Sequence, residues 1–140
     1  MKSNVERLLL VDDNKADRES VRRALRSLQV SSILDVAEDG AQALEHLLKS
    51  PTSELPDVII MDVNMPIMTG DEALTKIRQS ERLRHIPVVF LTANDKQSQV
   101  MSGYKNGINA YLIKPANASG YRDLMARVQE FWLEAVVLPR

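Results

Sequence analysis

The stretch Leu8-Leu9-Leu10-Val11-Asp12-Asp13 decides how the rest of the chain is read. Four consecutive apolar residues make a strand-length run with no polar alternation. Such a run fits a strand buried on both faces, as in a parallel sheet covered by helices. The run stops abruptly at two carboxylates. The same pattern recurs further along. Val58 to Met61 is followed by Asp62, Val88 to Leu91 by Thr92 and the small Ala93, and the shorter Tyr111-Leu112-Ile113 by Lys114-Pro115. Ile33 to Ala37 is broken by Asp35 and reads as a less buried strand near a sheet edge.

Between these runs lie helical patterns. Val21, Leu25 and Leu28 share one face with Ala24, and Ala43, Leu44, Leu47 and Leu48 form another. Thr69 and Glu72 form a capping box, Thr-x-x-Glu, that opens a helix burying Ala73, Leu74 and Ile77. Val100, Met101 and Tyr104 mark a weaker helix, stopped where Asn106-Gly107 lets glycine take a left-handed conformation. Tyr121, Leu124, Met125, Val128, Phe131, Trp132 and Ala135 follow helical spacing in the last one, and the tail Val136-Val137-Leu138-Pro139 stays apolar beyond it. Five β-α repeats with right-handed crossovers imply an α/β fold: a doubly wound, five-stranded parallel sheet. Lys49 to Leu55, with Pro51 and then Pro56, reads as a surface loop.

Composition narrows the function. The chain has 140 residues, the usual size of one domain, so residues 1–140 are expected to form one unit. Its net charge of -1 and 4% aromatic content give no sign of a nucleic-acid surface. There is no cysteine, which excludes disulfides, thiol nucleophiles and zinc-thiolate sites. No leader segment and no apolar stretch near the ~18 residues of a membrane span is found, so a cytoplasmic protein is expected. His46 and His85 have no partner at metal-ligand spacing, and the charged groups Lys76-Ile77-Arg78 and Arg82-Leu83-Arg84 read as solvated.

In a doubly wound sheet, ligands bind outside the carboxyl ends of the strands. With the flavodoxin-like strand order 2-1-3-4-5, strands 1, 3, 4 and 5 are neighbours. Asp12, Asp13, Asp62, Thr92 and Lys114 then converge on one pocket. Carboxylates that close repel one another, and a bound cation removes the repulsion. All-oxygen ligands suit Mg²⁺. An ionised aspartate can form an acyl phosphate, while Mg²⁺ and Lys114 neutralise the phosphoryl oxygens.

This ordered set resembles the response-regulator receiver domains of two-component signalling: the acidic pair Asp12-Asp13, Asp62-x-Asn64-Met65-Pro66, Thr92-Ala93 and Lys114-Pro115. The resemblance runs from about Arg7 to the end of the last helix. It implies that Asp62 is the phosphoacceptor and Asp13 a direct Mg²⁺ ligand, with Asp12 acting partly through water. It implies further that Asn64 lends a backbone carbonyl to the metal and that Lys114 pairs with the phosphoryl oxygens. Thr92 and Tyr111 become the switch pair, and the Lys114-Pro115 bond is expected to be cis. The donor is then a sensor histidine kinase. The protein is a phosphorylation switch with autophosphorylation and autodephosphorylation activity, signalling through the face of helix 4, strand 5 and helix 5.

The sequence departs from the family's common pattern at Thr69, where an acidic residue often precedes the glycine. Glu130-Phe131-Trp132-Leu133 and Val137-Leu138-Pro139 resemble the C-terminus of phytochrome-associated single-domain response regulators. That points to a phytochrome-type kinase and to a homodimer through helix 4, strand 5, helix 5 and the tail at 136–140. Core closure within the chain's own domain is the competing use of these apolar residues. A haloacid-dehalogenase-type aspartyl phosphatase fits less well. It would place its nucleophile after the first strand, with a second aspartate two residues on; here Asn64 stands two after Asp62. An inert receiver used only for binding would not need the intact acidic pair.

Overall fold

The computed structural model describes residues 6–139; Met1 to Val5 and Arg140, the last residue of the apolar tail, lie outside the described residues. Strands β1 (Glu6–Val11), β2 (Ser32–Ala37), β3 (Val58–Met61), β4 (Val88–Thr92) and β5 (Ala110–Ile113) alternate with helices α1 (Lys15–Ser27), α2 (Gly40–Lys49), α3 (Gly70–Gln79), α4 (Gln97–Asn106) and α5 (Ala118–Val128). The strands are all parallel, in the expected order β2-β1-β3-β4-β5. The interrupted strand, β2, is indeed at an edge.

Alternation along the buried strands sorts the core into two layers. Leu9, Val11, Ile59, Met61, Val88 and Phe90 face α2 and α3, where Ala43, Leu47, Ala73, Leu74 and Ile77 cover them. Leu8, Leu10, Val58, Ile60, Val89 and Leu91 face α1 and α5, against Val21, Leu25, Tyr121 and Met125. Since both faces are covered, strands apolar at every position are what the sheet requires.

Several helix faces differ from the sequence pattern. Leu48 is exposed, so the buried stripe of α2 is Ala43 and Leu47 with Leu44 beside them. Met101 and Tyr104 of α4 are also exposed. That helix buries Gly103 instead, because a Cβ there would lie 2.9 Å from Ile108 and 3.3 Å from the Phe90 ring. The close approach that glycine permits replaces side-chain interdigitation. The Thr69–Glu72 capping box forms as read, and Gly107 ends α4 at φ 106°. The loop at 49–55 contains a single 3₁₀ turn, Thr52–Glu54.

The largest departure is at the C-terminus. After Val128 the chain continues as a π-helix, Gln129–Ala135, in which the Val136 N–H donates to the Phe131 carbonyl five residues back at 2.8 Å. The wider turn breaks the expected seven-residue stripe. Leu133 follows Val128 into the core, whereas Phe131 is turned outward and 55% exposed. Leu138 and Val136 then dock on the α1/α5 layer of their own domain, leaving Val137 96% exposed.

Candidate functional site

Parallel register places the site. Val11 is level with Met61, so Asp12 and Asp62 leave the ends of β1 and β3 side by side, tied by the Asp62 N–H donating to the Val11 carbonyl at 2.9 Å. Thr92 ends β4 opposite Ile113 of β5, and the Lys114 N–H donates to the Thr92 carbonyl at 2.8 Å. The first turn of α3 closes over the Asp62 backbone. At Gly70 a Cβ would sit 2.4 Å from the Asp62 carbonyl oxygen, so only glycine allows this approach.

Asp12, Asp13 and Asp62 each bring a carboxylate oxygen within 4.8 Å of the others. Asp12 and Asp62 are buried and Asp13 is exposed. The far oxygens of the two buried carboxylates are already satisfied: Asp12 Oδ1 accepts from the Asn14 N–H at 2.9 Å and Asp62 Oδ1 from the Val63 N–H at 2.7 Å. The inner oxygens meet Lys114. Its Nζ lies 2.9 Å from Asp12 Oδ2 and 2.8 Å from Asp62 Oδ2, with the side chain only 9% exposed.

The electrostatics follow from this packing. Burial raises the Asp12 carboxyl above its ordinary value and the nearby Asp62 charge pushes the same way, while the Lys114 ammonium and the Asn14 N–H pull it back. Burial alone would lower Lys114, but its hydrogen bonds to carboxylates outweigh that and hold the ammonium well above its usual range. A lysine thus caps a carboxylate cluster open on its Asp13 side. Three oxygen donors so arranged, with no nitrogen or sulfur among them, fit a small hard cation that retains water.

Thr92 is buried, and its Oγ1 accepts from the Asn94 N–H at 3.5 Å. Tyr111 packs edge-on against Phe90, with ring centroids 6.2 Å apart, and donates its hydroxyl to the Asn94 carbonyl at 2.5 Å. One peptide segment at Asn94 therefore connects Thr92 and Tyr111. Burial raises the Tyr111 phenol above its ordinary value, and the charges of Asp71, Asp62 and Asp95 add to the rise. Asn64 is exposed two residues past Asp62, and its side-chain oxygen accepts from Gln99 Nε2 at 3.4 Å.

Two expectations are corrected. The Lys114–Pro115 bond is trans, as are all peptide bonds among the described residues. Trans is the lower-energy isomer of an X–Pro bond by roughly 0.5–1 kcal/mol, and Lys114 reaches its carboxylates from it. Arg78 and Arg82 are half-buried and hydrogen-bonded to the protein, not free in solvent. Arg78 donates to the carbonyls of Gly107 (2.9 Å), Arg84 (3.1 Å) and Ile86 (2.8 Å) and to Asn109 Oδ1 (3.1 Å). Arg82 donates to the carbonyls of Leu47 and Ser50. Carbonyls in loops and in the last turn of α2, where backbone partners run out, accept from the two guanidiniums. His46 Nε2 stands 3.6 Å from Asp35, beyond hydrogen-bond reach.

The sequence reading missed Asp17. Its Oδ2 lies 2.7 Å from Lys114 Nζ and its Oδ1 accepts from the Tyr121 hydroxyl at 3.2 Å. Asp17 sits on α1, inside a run of charged residues, and nothing local in the sequence sets it apart from them.

The family model described as "Response regulator receiver domain" matches residues 8–129. Response regulator Rcp1 of Synechocystis is 34% identical over 135 residues, covering 94% of this chain and 92% of that protein. A solved structure of Rcp1 in its Mn²⁺-bound form superposes with a TM-score of 0.86 at 33% identity, over 96% of this chain and 99% of that one. The phosphorylated cyanobacterial phytochrome response regulator RcpA matches with a TM-score of 0.89 at 31% identity, over 96% and 99%. The receiver domain of a Pseudomonas aeruginosa sensor histidine kinase, with magnesium coordinated in its active-site cleft, gives 0.73 at 30% identity, over 91% and 97%. Among the described residues no helix is long and apolar enough to cross a membrane.

Proposed function

The chain belongs to the response regulator receiver family, and from that premise we propose that it is a phosphorylation switch whose acceptor is Asp62. One observation carries this reading. The buried Asp62 carboxylate ends β3 beside Asp12 and Asp13 with a lysine ammonium 2.8 Å away.

An Asp62 oxygen attacks the phosphorus of a phosphohistidine presented by a sensor histidine kinase. The P–N bond breaks, its electron pair stays on the imidazole nitrogen, and that nitrogen takes a proton. Lys114 follows the phosphoryl oxygens, with charge neutralisation as its contribution. Asp12, Asp13 and Asp62, with the Asn64 backbone carbonyl, would hold Mg²⁺, which when bound neutralises further phosphoryl charge. The phosphoaspartate brings about -1.5 to -2 charge near neutral pH, by analogy with other phosphorylated side chains. Thr92 answers by turning its hydroxyl toward the phosphoryl group, which releases the Asn94 N–H. The Asn94 carbonyl holds Tyr111, so the change passes to β5 and to the exposed Met101 and Tyr104 of α4. Partners respond only as far as they prefer one state over the other. The same site would autophosphorylate from small phosphodonors and autodephosphorylate.

The likeness to RcpA, a phytochrome response regulator, supports a phytochrome-type kinase as donor. We read the protein as cytoplasmic, built as one receiver unit over residues 1–140, and acting through protein contacts without nucleic acid or membrane. Phe131 and Val137, exposed beside the docked tail, support a homodimer through the α4/β5/α5 face and the tail. Phe131→Asp with Val137→Asp should then halve the mass in solution while leaving the fold intact.

The central test is incubation with acetyl phosphate and Mg²⁺ followed by intact mass measurement. A single labile phosphoryl adduct is expected on the wild type and none on Asp62→Asn. An equal adduct on both proteins would remove Asp62 from the role.

A further inference from the structure

A lysine ammonium has three N–H donors. In this structure Lys114 spends them on Asp12, Asp62 and Asp17, at 2.9, 2.8 and 2.7 Å. The proposed chemistry claims two of these partners. Asp62 becomes an acyl phosphate, and Asp12 turns its carboxylate to a cation that repels the ammonium. Asp17 stands apart from the acidic cluster, so its bond to Lys114 is the one that the reaction does not consume.

Asp17 is held from two sides. Its N–H donates to Asn14 Oδ1 at 3.0 Å, fixing the first turn of α1. Its second carboxylate oxygen accepts from the hydroxyl of Tyr121, which is buried on α5 at 4% exposure. A carboxylate pinned by a buried phenol presents a fixed oxygen to its other partner, as groups behind metal ligands do.

We propose that Asp17 is a positioning residue for Lys114: it keeps the ammonium over the phosphoacceptor while the other two carboxylates change partners, and Tyr121 orients it. The inference rests on the reading of Asp62 and Lys114 given above. Without Asp17, once Asp12 and Asp62 have turned to the cation, the Lys114 ammonium has no fixed partner left and no longer stays ordered over the phosphoacceptor.

The test uses the full chain as wild type, Asp17→Asn and Tyr121→Phe. The first readout is the NMR signal of the Lys114 ammonium, recorded at saturating Mg²⁺ with no phosphodonor and assigned through Lys114→Arg. The second is the rate of adduct formation from acetyl phosphate at saturating Mg²⁺, per folded molecule. Asp17→Asn should lose the ordered ammonium signal and react about tenfold slower or more. Tyr121→Phe should give a weaker loss in both. An ammonium signal that survives Asp17→Asn overturns the proposal, and so does a rate per folded molecule equal to wild type. Should Asp17→Asn fail to fold, unchanged signal and rate in Tyr121→Phe overturn it in the same way. A wild type that takes no phosphoryl group counts against the acceptor reading instead, and the ammonium signal still decides whether Asp17 holds Lys114.

Discussion

Lys114 and Arg78 are both cations withdrawn from solvent, at opposite ends of the same sheet. Lys114 follows β5 at the carboxyl end and meets only carboxylates. Arg78 ends α3 and lies against the segments that enter β4 and β5, where it meets three backbone carbonyls and one amide oxygen. Burial lowers the Arg78 guanidinium from its ordinary value. Lys114 moves the other way, since its carboxylates outweigh its burial. Arg78 exchanges water for dipoles and fastens loops. Lys114 balances charges that must themselves change during the chemistry. A buried cation is therefore read by what it faces: neutral acceptors mark a clamp, and a crowd of carboxylates marks a site that expects another charge.

The contrast can be broken most directly at Lys114. Lys114→Met should slow phosphorylation from acetyl phosphate by about 100-fold or more, the scale of losing one preorganised charge-stabilising donor. The variant leaves carboxylates facing one another without a counter-charge. Its unfolding midpoint in denaturant should therefore depend on Mg²⁺ more steeply than that of the wild type. A midpoint insensitive to Mg²⁺ would mean that the cluster does not hold the ion.

Arg78→Ala should do the reverse. Losing hydrogen bonds from a charged group to otherwise unpaired carbonyls should cost about 3 kcal/mol in equilibrium unfolding. Phosphorylation per folded molecule should stay at the wild-type rate. Arg78→Lys should recover little, because a point charge cannot span the fork of acceptors.

The third test is pH. Burial first, then the charge and hydrogen bond of Asp17, push the Tyr121 phenol from 10.0 up to about 12. A raised folded-state value means that the native chain holds this proton where the unfolded chain releases it. The contribution to stability is full below about pH 10 and fades as pH rises toward about 12. Ultraviolet titration should show a tyrosine ionising near 12, moving down in Asp17→Asn.

The smallest effect is at Ile67, an exposed β-branched residue at φ 68° in the loop between β3 and α3. Ile67→Gly should relieve the left-handed penalty and stabilise the fold by about 1 kcal/mol in denaturant melts. An equal or lower stability would show that the exposed side chain makes up for its backbone.

The parts legible in the sequence share one physical cause. Apolar runs ending in a polar residue announce a buried parallel strand and the place where it opens to solvent. For that reason Asp12, Asp62, Thr92 and Lys114 could be named before their distances were known. Asp17 could not, because its meeting with Lys114 depends on how α1 lies against β5 and α5. Arg78 looked solvated because its acceptors are carbonyls from loops as far as 29 residues away. The helical spacing of the last helix misled for a similar reason. Periodicity assumes a constant turn, and the turn widens after Val128.

That widening makes the C-terminal surface a matter of phase more than of composition. Leu133 and Phe131 are both apolar, yet one is 2% exposed and the other 55%. Which is which follows from a five-residue step in the hydrogen bonding. Deleting one residue between Gln129 and Leu133 would restore the ordinary helical step and turn a different set of side chains to solvent. The Asp62 end of the molecule would not be touched. Insertions and deletions, more than substitutions, are thus the economical way for such a chain to change what its tail presents while keeping its switch.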